Sequence, residues 1–284
     1  ADQNIPRVAE AFADAGDVLL KPGRDIGPQD LLDCRCLLLR TVTRVDAALL
    51  DGSAVEFVGT ATIGTDHLDI DYLQRAGIAW ATAAGCNAEA AAEYVVSGLF
   101  ALSQRRGFDP ARLTAGIVGY GNVGTRLHAK LAALGIDCRL CDPPRATRGD
   151  CNQPLVSLDE ILDECDFISL HVPLTRDGDH PTFHLLDTDR LTRLRRGCVL
   201  VNAARGEVVD NRAMLDLLRE REDLCVFLDT WENEPTPDRE LLRQVDLGTP
   251  HIAGYSVEGR LRGTQMVLDA ARAPDLVALR VLAK

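Results

Sequence analysis

"GIVGYGNVG", Gly116 to Gly124, is the stretch on which the fold turns. Its apolar opening reads as a buried strand, and the glycines at 119, 121 and 124 form a G-x-G-x-x-G. That spacing alone also occurs in plain tight turns, so its flanks decide. A helical pattern follows, with Val123, Leu127, Leu131 and Leu134 spaced to share one face. A second strand pattern, "IDCRLCD", then ends in Asp142. Strand, glycine loop, helix, strand and terminal acid together predict a dinucleotide site. The glycines let the backbone approach a pyrophosphate at a helix N-terminus, and the acid accepts from the ribose hydroxyls. Asp142 would repel a 2′-phosphate and so favours NAD, whereas Arg145 and Arg148 nearby pull toward NADP.

Outward from this unit, strand and helix patterns alternate, which predicts an α/β protein built on parallel sheets. Upstream, "CLLLR" (36–40), "VEFVGTA" (55–61) and "GIAWATA" (77–83) read as strands, with helical stretches between them. "NAEAAAEYVVSGLFALSQR" (87–105) reads as a long helix capped by Asn87. Downstream, "FISLHV", "CVLVNAA" and "LCVFLDT" continue the second unit, and the last segment is helical in pattern. The boundaries expected are 1–86 for a first, smaller unit, 87–257 for the dinucleotide unit, and 258–284 for a helical segment returning to the first.

The bulk properties narrow the class. The chain has 284 residues, enough for two cores, and its formal net charge of −12 argues against a nucleic-acid surface. An anionic substrate would then need a local basic pocket. Apolar runs are too short for a membrane helix. Nine scattered cysteines predict reduced thiols and a cytoplasmic protein. Cys138 and Cys141 form a C-x-x-C that reads as two strand positions rather than a redox pair. No cluster has metal-ligand spacing.

Three residues at the ends of later strands offer chemistry. Arg205 in "VNAARGEVVDN" can grip a carboxylate through two parallel hydrogen bonds. His251 in "TPHIAGYSVEGR" carries an imidazole, the side-chain type suited to take a departing hydroxyl proton. "LDTWENEP" supplies Glu232 and Glu234, of which Glu234 is preferred as the histidine's partner. His67 and His128 read as packing or solvated residues, and His171 as a strand end near the cofactor.

These motifs, with "RTVT", "GTATIGTDHLD", "GCNAEAAAEYV", "CDPPRATRGD" and "HIAGYSVEGR", resemble the D-isomer-specific 2-hydroxyacid dehydrogenase family over nearly the whole chain. The resemblance implies a Rossmann-type NAD-binding domain plus a smaller flavodoxin-like α/β substrate (lid) domain. It implies NAD as cofactor and a small phosphorylated hydroxy acid, 4-phospho-D-erythronate, as substrate. A 3-phosphoglycerate or small hydroxy-acid dehydrogenase is the alternative, and an NAD-sensing corepressor-like scaffold a more distant one. It makes His251 the proton donor and acceptor, with Glu234 and Arg205 beside it. Asn122, Val123, Asp142, Val172, Ala203, Ala204, Asp229 and Gly254 match positions that contact NAD. Thr41, Thr62 and Tyr255 match positions that contact substrate, while Arg44, Arg260 and Arg262 are candidates for local positive charge. The family form implied is a homodimer with a further C-terminal domain, and the expectation is of a sequence trimmed of that domain and of a first strand.

Overall fold

The computed structural model describes residues 1–273 and divides the chain into two compact units. One comprises Ala1–Asn87 and the described residues from Tyr255 on; the other is Ala88–Gly254. The part of the expected C-terminal segment beyond residue 273 lies outside the described residues.

In the larger unit six parallel strands run β4 (Thr114–Val118), β5 (Asp137–Cys141), β6 (Phe167–Leu170), β7 (Val199–Asn202), β8 (Cys225–Leu228) and β9 (Leu247–Gly248). Their order in the sheet is β5-β4-β6-β7-β8-β9, so the chain leaves β4 in one direction for β5 and in the other for β6. That reversal opens a crevice at the carboxyl ends of β4 and β6, where such sheets hold ligands. Strand side chains alternate strictly between two cores. Ala115, Ile117, Phe167, Val199, Val201, Cys225 and Phe227 enter one; Val118, Ile168, Leu170, Leu200, Val226 and Leu228 enter the other. Burial on both faces is why these strands read as continuous apolar runs. The helix Ala88–Arg106 lies against the first core so closely that a Cβ on Gly98 would stand 2.4 Å from the Phe227 ring. Each fully buried Phe or Leu contributes roughly 2 kcal/mol.

In the helix Asn122–Ala133, Leu127 and Leu131 are buried as the spacing predicted, but Leu134 is not. It is the C-cap residue and 46 % exposed, because the helix stops before it can turn that position inward. Cys138 and Cys141 are free strand residues of β5, and no cysteine is disulfide-bonded. Burial pushes the Cys138 thiol up to about 11 and Cys141 up to about 12, opposite to what a redox thiolate needs.

The smaller unit carries a parallel sheet in the order β1 (Cys36–Leu39), β2 (Phe57–Thr60), β3 (Ala79–Thr82). Asp2 lies beside it, donating its N–H to the Leu38 carbonyl at 2.8 Å and bridging to Lys21. Leu37, Leu39 and Val58 pack on one face, Leu38 and Phe57 on the other. The helix Val257–Arg272 covers the second face, placing Val267 against Gly59, where a Cβ would come within 2.4 Å of it. Among the described residues no helix is long and apolar enough to cross a membrane.

Candidate active site

The three glycines of the fingerprint each answer a different steric demand. Gly119 has φ +94°, and the backbone of His171 and Val172 occupies the place of a Cβ. Gly124 sits where a Cβ would be 2.1 Å from the Gly119 carbonyl, so the helix can pack directly on the turn. Gly121 has nothing within 4 Å of a Cβ position, an open approach for a ligand. It also caps the helix Asn122–Ala133 with no side-chain hydrogen bond, leaving the first-turn N–H groups without a cap acceptor. This cradle fits a pyrophosphate. Tyr120 is buried between the glycines, with its hydroxyl 2.8 Å from His128 Nδ1. His128, expected as a packing or solvated residue, therefore braces the loop.

Asp142 closes β5 and caps the helix Pro143–Arg148, accepting from the Arg145 N–H at 3.0 Å and the Tyr120 N–H at 2.8 Å. The two arginines that pulled toward NADP are engaged elsewhere. Arg145 Nε and Arg148 Nε bond the two carboxylate oxygens of Asp150 at 2.9 and 2.8 Å, and Arg145 also donates to the Tyr120 and Asp150 carbonyls. "CDPPRATRGD" thus folds into a turn that neutralises its own arginines and leaves Asp142 as the acid at the strand end. That fits NAD.

The remaining predicted residues of this unit collect at the same sheet edge. Val172 follows β6, Ala203 to Arg205 follow β7, Asp229 to Glu234 follow β8, and His251 and Gly254 follow β9. Asn202 shapes the β7 loop by accepting from the Ala204 N–H and donating to the Arg205 carbonyl. A Cβ on Gly206 would lie 2.0 Å from the Trp231 carbonyl group, so only glycine lets the Arg205 loop touch the Glu232–Glu234 turn.

His251 Nδ1 stands 2.9 Å from Glu234 Oε2, while Glu234 Oε1 accepts from the Trp231 N–H at 2.9 Å. Glu232 goes elsewhere. Burial pushes the Glu234 carboxyl up, but the bonds from His251 and Trp231 and the nearby Arg205 charge hold it below its ordinary value. Arg205 is half-buried, and its Nη1 donates to the Ala204 carbonyl.

Asp229, expected against the cofactor, has no exposed surface. Its carboxylate accepts from the Thr249 hydroxyl (2.6 Å), the Ile252 N–H (2.8 Å) and the Ala253 N–H (2.8 Å), and its carbonyl accepts from the His251 N–H (2.7 Å). These bonds hold His251 at φ +55°, a costly conformation for a residue with a side chain. Sequence reasoning also passed over His184. Its Nε2 is 2.6 Å from Glu232 and its Nδ1 3.5 Å from Asp210, and its N–H donates to the Glu207 carbonyl. It ties the Arg205 loop to the turn carrying Glu234. No sequence signal marked it, since its partners are far away along the chain.

In the smaller unit Thr62 is half-buried, and Thr41 and Tyr255 are exposed. Arg260 Nη1 donates to the Tyr255 hydroxyl at 3.2 Å and its Nη2 to the Asn4 carbonyl at 2.9 Å. Arg44 is bound to Asp46 at 3.0 Å, and Arg262 is exposed. No group of three or more His, Cys, Asp or Glu residues able to hold a metal occurs among the described residues.

Comparison with known proteins agrees with this geometry. The family described as D-isomer specific 2-hydroxyacid dehydrogenase, NAD binding domain, matches residues 78–253. The erythronate-4-phosphate dehydrogenase of Stutzerimonas stutzeri is 54% identical over 94% of this chain and 70% of its own length. That of Chromohalobacter salexigens is 50% identical over 95% and 70%. Among solved structures, the TT0316 protein of Thermus thermophilus superposes with a TM-score of 0.78 at 25% identity, covering 99% of this chain and 96% of that one. The NAD- and lactic-acid-bound D-lactate dehydrogenase of Aquifex aeolicus gives 0.73 at 24%, covering 98% and 94%, a likeness of fold alone. The chain belongs to the D-isomer specific 2-hydroxyacid dehydrogenase family and is an NAD-dependent dehydrogenase.

Proposed function

We propose that this chain oxidises 4-phospho-D-erythronate to (R)-3-hydroxy-2-oxo-4-phosphooxybutanoate, a step of pyridoxal 5′-phosphate (vitamin B6) biosynthesis. Half-identity over most of its length with enzymes named for erythronate 4-phosphate supports the substrate. The His251–Glu234 pair carries the mechanism. A carboxylate can only accept, so Glu234 fixes the proton of neutral His251 on Nδ1 and leaves Nε2 with a free lone pair. Nε2 takes the proton of the substrate's C2 hydroxyl, and Glu234 stabilises the imidazolium that forms. NAD, when bound, accepts the C2 hydride. Arg205 grips the substrate carboxylate through its guanidinium fork. Asn122, Val123, Asp142, Val172, Ala203, Ala204 and Gly254 as cofactor contacts, with Asp229 acting through the turn 249–253 that it holds, and Thr41, Thr62 and Tyr255 as substrate contacts, belong to the same proposal. So do a homodimeric state and a cytoplasmic location, the latter supported by nine unbridged cysteines.

The test is NADH formation from NAD with 4-phosphoerythronate, unphosphorylated erythronate and 3-phosphoglycerate at equal concentrations. Preference for the four-carbon phosphate is expected. Preference for 3-phosphoglycerate would overturn the substrate and keep the chemistry; silence with all three would overturn the activity.

A further inference from the structure

We propose that His67 is a positioning residue that sets the direction of a hydroxyl chain and thereby makes Thr62 a hydrogen-bond donor to an anionic oxygen of the substrate. This rests on Thr62 being a substrate contact, as proposed above. His67 Nε2 lies 3.1 Å from Thr60 Oγ1, and Thr60 Oγ1 lies 2.7 Å from Thr62 Oγ1. Thr60 ends β2 and has no exposed surface, so among the described residues its hydroxyl meets only these two partners. A hydroxyl flanked by two such groups donates to one and accepts from the other. If Nε2 carries a proton, it donates to Thr60, Thr60 donates to Thr62, and the Thr62 proton is left to point outward. If Nε2 is bare, the chain reverses and Thr62 presents only lone pairs, which an anion would repel.

The framework holds all three residues in place. The Ala83 N–H is shared between the Thr60 and Thr62 carbonyls at 3.1 and 3.0 Å, and the His67 carbonyl accepts from the Val45 N–H at 2.8 Å. Burial pushes the His67 ring below its ordinary pKa against the opposing pull of Asp66, so at neutral pH the ring is uncharged and acts through its tautomer. Neutral hydroxyls are a way for an acidic protein to receive an anion without a further cation. The chain also gives "GTDHLD" a use for its histidine beyond packing.

Two readouts test this. Long-range proton–nitrogen NMR of the ligand-free protein should show His67 protonated on Nε2; a bare Nε2 would overturn the proposal whatever the substrate proves to be. Kinetically, Thr60→Val should lower kcat/KM for the hydroxy acid about tenfold and leave NAD affinity unchanged. Thr60→Ser should restore it, and adding Thr62→Val to Thr60→Val should cost nothing more. Full activity in a folded Thr60→Val, or multiplicative losses in the double variant, would overturn it. Should Thr60→Val not fold, His67→Leu against His67→Gln makes the same comparison, since the glutamine amide can still donate. If the wild type ignores 4-phosphoerythronate, the substrate reading fails, and the NMR result still decides the chain's direction.

Discussion

Asp229 shows how much one buried side chain can determine. Its carboxylate receives three bonds from the segment 249–253, so it shapes the turn that presents His251. Asp229→Asn must turn an amide NH2 toward one of those donors. It is expected to lose about 2 kcal/mol of stability by urea unfolding, with a fall in turnover. His171 supplies a pH signature. Burial pushes its pKa down to about 4, so between there and the ordinary histidine value near 6.5 the unfolded chain binds the extra proton. Stability should be complete above that window and decline as pH falls through it. Glu234, held below its ordinary value, adds a loss only at lower pH. His171→Gln, whose amide can still meet the Ser169 hydroxyl now 2.8 Å from the ring, should flatten the first decline in pH-dependent melting.

At the scale of elements, the glycine turn after β4 separates folding from binding. Gly124→Ala drives a methyl into the Gly119 carbonyl and should lower both the melting temperature and NAD affinity. Gly121→Ala meets no protein atom and has a negative φ, so the melting temperature should stay within a degree or two while NAD binding weakens at least tenfold. Calorimetry on both variants checks the contrast. The turn was legible in the sequence because everything that defines it is local: a strand, three glycines, an apolar helix face and a closing acid. Arg205, Glu234 and His251 were legible as candidates because each follows a strand. Their supports were not. His184 meets Glu232 across 48 residues of chain, and nothing in either local pattern announces that meeting. Leu134 was misread because periodicity does not say where a helix stops.

At the scale of the molecule, the residues proposed above for chemistry belong to two units. Ala88–Gly254 holds the fingerprint, Arg205, Glu234 and His251 above two closed cores, while Thr41, Thr62 and Tyr255 belong to the other unit. Residues 88–254 expressed alone should therefore fold on their own two cores and bind NAD, by circular dichroism and calorimetry. The alternation of strands and helices made the two-sheet α/β class readable, since burial on both faces leaves its mark in every strand.

The central claim, that Nε2 of His251 takes the proton as the hydride leaves, is tested most directly by His251→Gln. Glutamine fills similar space and cannot serve as a base near neutral pH. The account predicts a loss in kcat on the order of a hundredfold to ten-thousandfold, with the NAD dissociation constant nearly unchanged. Retention of more than about a tenth of the wild-type rate, a barrier change under ~1.4 kcal/mol, would contradict it and remove His251 from the chemical step.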